Sequence, residues 1–294
     1  MAEKFDENIL IIGLGEIGYN CAEYLNEMGL KVDGIDISEA AIQRALNAGI
    51  ISGIGKNFSN YDYYIVCIST HQPENQFEPY LDSFYQLIET IAKEGKPNSL
   101  ISVESTIPYG TTKKILEITK HKMHVVHFPH RYYRLEKQDH GVKQMRVLGA
   151  SHDCCNKVAE NFYGKVLGIP IHPVKSVEVA ELSKIVENAY IYLQIAFAEE
   201  LKIVCDSKNI DFQELRDACN TKWNINIFEN HQGIGGHCLP KDTKMVLAFE
   251  NSIISKSLLE TAMVVDMQYR AHIMQKPLET KLEVTNPSTV KKQN

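Results

Sequence analysis

Along the first 175 positions, apolar residues gather in short unbroken blocks separated by stretches with helical spacing. The blocks lie at 8–12, 31–35, 62–69, 100–103, 123–127, 146–148 and 169–174. Runs without polar alternation predict strands covered on both faces of a parallel sheet. Between them Ile17, Cys21, Tyr24, Leu25 and Met28 recur at the helix period, as do Leu81, Phe84, Leu87, Ile88 and Ile91 within 79–93. Two more helices are expected at 111–119 and 153–163, and the alternation predicts a doubly wound α/β sheet. From Val177 to Lys208 neither glycine nor proline interrupts the chain, and Val179, Leu182, Ile185, Val186, Ala189, Ile195, Ala196 and Leu201 keep helical spacing. A helix of roughly thirty residues is about 45 Å long, enough to link two domains or to form a dimer seam. Helices at 211–220, 243–250 and 255–273, with an irregular stretch at 223–228, complete the pattern.

The first strand runs straight into Gly13-Leu14-Gly15-Glu16-Ile17-Gly18, and a helix follows. Strand, glycine turn and helix together form the dinucleotide fingerprint. Gly13 serves the tight turn, Gly15 lets a pyrophosphate approach the backbone, and Gly18 lets helix and strand pack closely, with phosphate charge at the helix N-terminus. The second strand ends at Asp36, where a carboxylate binds ribose hydroxyls and repels a 2′-phosphate, so NAD is expected rather than NADP. The domain plan is then a Rossmann-like NAD-binding domain over 1–175, an all-helical central domain over 176–274 carrying the long inter-domain helix, and a disordered tail at 275–294, which is polar and poor in apolar residues.

Candidate chemistry collects at strand ends and in one later turn. Ser69-Thr70 and Ser105-Thr106 close two strands, where ligands of open α/β sheets sit; their hydroxyls either face cofactor and substrate or cap the helices that follow. The segment 128–134 (FPHRYYR) sets His130, Arg131 and Arg134 among two tyrosines, either an anion or sugar contact or a solvated loop. Lys184 and Asn188, four residues apart, share one face of the long helix, as plain surface residues also would. In 233–242 (GIGGHCLPKD) the glycines Gly235 and Gly236 let the backbone approach a ligand, and Pro240 suits a first helical turn. Cys238 then lies near a helix N-terminus, which favours its thiolate, with Asp242 four residues on; the alternative is an ordinary buried thiol.

Composition narrows the partners. A net charge of −6 without a dominant basic block argues against nucleic acid. No apolar run reaches the roughly 18 residues of a membrane span. The acids ahead of the first apolar run are unlike a signal peptide. The seven cysteines are odd in number, include the adjacent pair Cys154-Cys155, and follow no zinc spacing. Reduced thiols of a cytoplasmic protein without a metal are expected.

GLGEIG with Asp36, VESTIPYGTT (103–112), AELSKIVENAY (180–190) and GIGGHCLPKD (233–242) occur in the order and spacing of the UDP-glucose/GDP-mannose dehydrogenases, and the chain resembles that family over residues 7–270. The resemblance implies an NAD-binding Rossmann domain and a helical domain that forms a homodimer along the 177–208 helix. It also implies oxidation of a sugar-nucleotide hydroxymethyl group to a carboxylate with two NAD⁺, in surface polysaccharide synthesis. Cys238 would carry a thiohemiacetal and then a thioester, Lys184 and Asn188 would stabilise the oxyanion, and Asp242 with Thr106 would position water or take protons. Two departures stand out. The family glutamate after the proline of 127–131 is His130 here, itself a candidate base. The family also continues into a second Rossmann-like domain that holds the substrate nucleotide, and the chain stops before it, so a different or smaller substrate such as a phosphosugar is expected as well. Two-electron alcohol oxidation, or a non-catalytic NAD-binding partner role, are the alternatives.

Overall fold

The computed structural model describes residues 7–275 apart from 73, 76, 251 and 252. The tail expected to be disordered lies, from residue 276 on, outside the described residues. Eight strands form one sheet in the order β3-β2-β1-β4-β5-β6-β7-β8: β1 Ile9–Ile12, β2 Val32–Ile35, β3 Gly53–Ile54, β4 Tyr63–Val66, β5 Leu100–Val103, β6 His124–His127, β7 Arg146–Ala150 and β8 Ile171–Pro173. Every pairing is parallel except β6 with β7. The chain reverses its direction of sheet building between β1 and β4, which opens a crevice at their carboxyl ends.

Burial follows from the strand period of two. Ile9 and Ile11 face one side, against Cys21 and Leu25 of α1 (Glu16–Glu27), Ile42 of α2 (Glu39–Asn47) and Cys155 of α5 (Asp153–Ala159). Leu10 and Ile12 face the other side, against Phe84, Ile88 and Ile91 of α3 (Asp82–Glu94) and Ile115 of α4 (Thr111–Thr119). With both faces covered, every residue of β1, β4 and β5 is buried, as the unbroken apolar blocks require. The helix predicted at 153–163 is α5 followed by a π-helical turn over Glu160–Val166, which packs Phe162 on Tyr63.

The long helix is α6, Val177–Ser207. It is locked to the sheet at two places. Gly149 of β7 passes so close that a Cβ there would lie 2.6 Å from Ala180 Cβ. The buried Glu181 carboxylate accepts from the Gly110 and Thr112 amides at 2.7 and 2.6 Å. It thereby caps α4, whose own N-cap, Gly110, has no side chain to do so. The far half of α6 packs against α7 (Phe212–Asn220), α8 (Cys238–Glu250) and α9 (Leu258–Gln275), with Tyr192, Ala196, Ile234 and Ala262 as one core cluster and Ala198, Cys205, Phe212 and Ile227 as another. No helix among the described residues is long and apolar enough to cross a membrane.

Candidate active site

The glycine turn after β1 is dictated by contact. Gly13 adopts φ +92°, and a Cβ there would sit 2.7 Å from the Cys67 carbonyl oxygen. A Cβ on Gly18 would lie 1.7 Å from the Gly13 oxygen, so helix and strand meet where only glycine fits. Gly15 faces open space and begins α1 without a side-chain cap, leaving the first-turn amides of Glu16, Ile17 and Gly18 free for an anion. Asp36 accepts from the Leu14 and Ser38 amides at 2.6 and 2.7 Å, which sets its carboxylate beside the turn. Arg44 donates to the Leu14 carbonyl at 2.7 Å and braces the loop. A free helix N-terminus, an uncluttered glycine and a carboxylate at the end of β2 fit a dinucleotide.

At the neighbouring strand ends the hydroxyls are drawn inward. Thr70 donates to the Thr106 carbonyl and Ser105 to the Ile68 carbonyl, each at 2.7 Å, so these protons brace the β4 and β5 ends and neither hydroxyl caps a helix. Ser69 is exposed.

Facing this crevice, α8 starts at Cys238, earlier than the predicted 243, with Pro240 in its first turn. Gly236, at φ +72°, makes the preceding turn, and Gly235 is open. Ile234 anchors the loop: its amide donates to Asp266 at 2.8 Å and its carbonyl accepts from Arg270 at 2.6 Å. Asp242 is buried and accepts from Asn188 of α6 and from Lys241. Burial pulls the Lys184 pKa below the usual lysine value, while Asp242, Glu187 and Cys238 oppose that shift. Lys184, Asn188, Cys238 and Asp242 therefore form one group across α6 and α8.

The expected thiolate bias at Cys238 is outweighed. The protein around the thiol and the Asp242 carboxylate raise its pKa, Lys241 and Lys184 lower it, and Glu16 adds to the rise. Cys238 itself is solvent-exposed, and its Sγ lies 3.6 Å from His237 Nε2. His237 meets His71 from the β4–α3 loop edge-on, and Lys244 pairs with Glu78 of the same loop.

His130 lies elsewhere. Its Nε2 contacts Glu104, the residue after β5, and both are buried. Glu104 also pairs with Arg146 at 2.9 Å and accepts from Tyr163 at 2.5 Å. Burial alone would raise the Glu104 pKa, but Arg146 and His130 bring it down to about 2. Burial and Arg146 would lower His130, but Cys21 and Glu104 prevail and raise it. Among the described residues no hydrogen bond or ion pair joins His130 to the Cys238 group. Arg131 is engaged by both carboxylate oxygens of Glu187, and Arg134 is exposed, 3.7 Å from Glu16 at the turn. Lys241, through its bond to Asp242, and His237, through its contact with the Cys238 sulfur, stand beside the predicted residues, whereas Glu104 belongs to the separate buried cluster. Lys241 stood inside the cysteine stretch, but which carboxylate it would meet needed the fold.

Residues 50–167 match the NAD binding domain of the UDP-glucose/GDP-mannose dehydrogenase family, and residues 178–268 match that family's central domain. This chain belongs to the UDP-glucose/GDP-mannose dehydrogenase family. Its cofactor is NAD. The UDP-N-acetyl-D-mannosamine dehydrogenase of Methanococcus maripaludis is 29% identical over 270 residues, 84% of this chain and 62% of that protein. The Escherichia coli enzyme of the same name is 25% identical, over 82% of this chain and 64% of its own length. The chain thus spans less than two thirds of these relatives. In fold it is similar to the UDP-D-ManNAc dehydrogenase of Pyrococcus horikoshii (TM-score 0.78, 23% identity, 91% of this chain and 70% of that one). It is also similar in fold to a Mycobacterium tuberculosis 3-hydroxyisobutyrate dehydrogenase (TM-score 0.72, 14% identity, 92% of this chain and 100% of that one).

Proposed function

We propose that the protein oxidises the C6 hydroxymethyl group of a nucleotide-linked sugar to a carboxylate, in four electrons, through Cys238. The observation that carries this reading is the Lys184–Asn188–Cys238–Asp242 group on α6 and α8, set opposite the glycine turn. A two-electron alcohol dehydrogenase needs no thiol there. The names of the relatives favour a UDP-linked N-acetylhexosamine as substrate.

Gly13, Gly15, Gly18 and Asp36 would hold NAD⁺, which supplies the two-electron acceptor for each oxidation. Lys184, whose charge Asp242 and Glu187 support, stabilises the alkoxide at C6, and Asn188 has a second amide hydrogen to offer the same oxygen. The Cys238 sulfur bonds to the aldehyde carbon, its proton passing to the oxygen, so the aldehyde stays attached. The second oxidation leaves a thioester. Water adds to it, the C–S bond breaks, and acid and thiol are released. Asp242 keeps lone pairs beyond those that Lys241 and Asn188 use, and these orient the water or take its proton. The overall balance is alcohol, two NAD⁺ and water to carboxylate, two NADH and three protons.

The test is NADH formation by the full chain with NAD⁺ and a panel of UDP-, GDP- and phosphosugars, with product masses recorded. An acid product supports the proposal; an aldehyde or ketone with one NADH makes this a two-electron enzyme, and NAD⁺ binding without turnover makes it a partner protein. We further propose that α6 forms the seam of a homodimer. Val179, Val186, Tyr190, Phe197 and Val204 are each about half exposed, and their spacings of seven, four, seven and seven lay one apolar stripe along the helix. Light scattering should give a dimer, and Tyr190→Glu with Phe197→Glu a monomer; a monomeric wild type refutes the seam.

A further inference from the structure

We propose that His121, His124, Cys154 and Cys155 form a closed tetrahedral site for a zinc ion, remote from the catalytic crevice. One ligand atom from each of the four lies within 4.8 Å of those of the other three. Cys154 Sγ and Cys155 Sγ are 3.9 Å apart, and His121 Nε2 is 3.5 Å from the first and 3.8 Å from the second. A tetrahedral zinc with Zn–S of about 2.3 Å and Zn–N of about 2.0–2.1 Å has S···S edges of about 3.8 Å and S···N edges of about 3.5–3.6 Å. The three measured edges thus already approximate a coordination polyhedron.

His124 supplies a second observation. It opens β6, and its Nδ1 is buried without a hydrogen-bond partner, a condition that buried polar atoms rarely tolerate. Two thiolates, two neutral imidazoles and a divalent ion also leave the cluster without net charge. His121 sits in the turn after α4, where Lys120 and His121 both adopt positive φ, 49° and 55°, without being glycine; such backbone is costly and persists where surrounding contacts hold it. Its ring is steadied by His152, stacked at 4.0 Å. Cys154 and Cys155 are adjacent residues of the first turn of α5, which brings both sulfurs to the same end of the helix.

The position indicates a structural role. His124 stands at the start of β6, whereas the catalytic crevice lies at the carboxyl ends of the strands. Four protein ligands leave no open coordination position. The ion would pin the α4–β6 turn to α5. Sequence spacing did not expose the site because an adjacent cysteine pair and a His-x-x-His from a different turn match no zinc-finger pattern. A second cluster, Cys21, Cys67, Glu104 and His130, has comparable proximity, but the Arg146 guanidinium already pairs with its carboxylate and opposes a cation.

The experiment is titration of the reduced, metal-stripped full chain with cobalt(II) as the optical probe, followed by zinc(II) competition. The expected result is one equivalent bound, a thiolate-to-cobalt charge-transfer band, intense tetrahedral visible bands, and displacement by zinc. Cys154→Ser and His121→Ala change exposed residues and should weaken binding about tenfold or more with an unchanged far-ultraviolet spectrum, since even an outer-shell change costs about that much. Cys21→Ser should bind as wild type does. Absence of stoichiometric binding, cobalt bound without the thiolate band, equal binding by Cys154→Ser, or a Cys154–Cys155 disulfide as the resting form under reductant would each overturn the proposal.

Discussion

Replacing Glu104 by glutamine retains the side-chain shape and removes one charge from a buried cluster. Arg146 is fully buried, and its other partners are the carbonyls of Phe128 and Pro129; its Nη1 has no hydrogen-bond partner. Without the carboxylate the guanidinium charge is left uncompensated, a loss that typically costs about 3–5 kcal/mol. The pKa gives a second route to the magnitude. A fall from 4.5 to about 2, at about 1.36 kcal/mol per unit, corresponds to about 3 kcal/mol. Because the folded-state pKa lies below the unfolded one, this stabilisation is fully present above pH 4.5 and disappears as pH falls through about 2. Urea unfolding followed by circular dichroism should therefore show Glu104→Gln about 3–5 kcal/mol less stable than wild type near neutral pH, with the gap narrowing below pH 4.5. A gap under about 1 kcal/mol at neutral pH, or one that ignores acidification, would mean that the Glu104 carboxylate does not compensate the buried Arg146 charge.

Three further outcomes follow from the same structure. Gly18→Ala would set a Cβ against the Gly13 oxygen and should abolish NAD⁺ binding by calorimetry; a wild-type dissociation constant would contradict the contact argument. Glu199 is buried with neither carboxylate oxygen partnered, and burial, then Asp266, raises its pKa to about 7. Since the folded value exceeds the unfolded one, ionisation costs stability as pH rises through about 7. Glu199→Gln should then be about 1–3 kcal/mol more stable than wild type at mildly alkaline pH and no different near the ordinary carboxylate value; a constant gap would speak against it. Alkylation of Cys238 by iodoacetamide, followed by mass spectrometry, should still be accelerating at pH 9.0, the ordinary thiol value. Lys184→Met should move that profile higher, and a plateau near neutrality would contradict the assignment.

Much of this molecule is legible in its sequence, for physical reasons that differ by element. Leu100–Val103 and Thr111–Thr119 match their predicted bounds because a fully buried strand and a helix begun by Pro-Tyr-Gly carry strong local signals. β3, with two residues, carries too little pattern to read, and the antiparallel turn of β7 depends on tertiary packing. Cys238, Lys184, Asn188 and Asp242 were separable as candidates, since each sits in a short motif, and the packing of α8 on α6 joins them. The raised Cys238 pKa was not readable, because it comes first from the protein that the fold packs around the thiol and then from Asp242 acting through space. Nor was the commitment of His130 to Glu104, two residues 26 positions apart that only the adjacency of β5 and β6 unites.

Four-electron oxidation through Cys238 is decided by counting NADH per molecule of product for wild type and Cys238→Ala on the same UDP-sugar. Wild type should give two NADH per acid, and the variant no acid. One NADH per product in wild type, or acid formed at the wild-type rate without the thiol, would contradict that route.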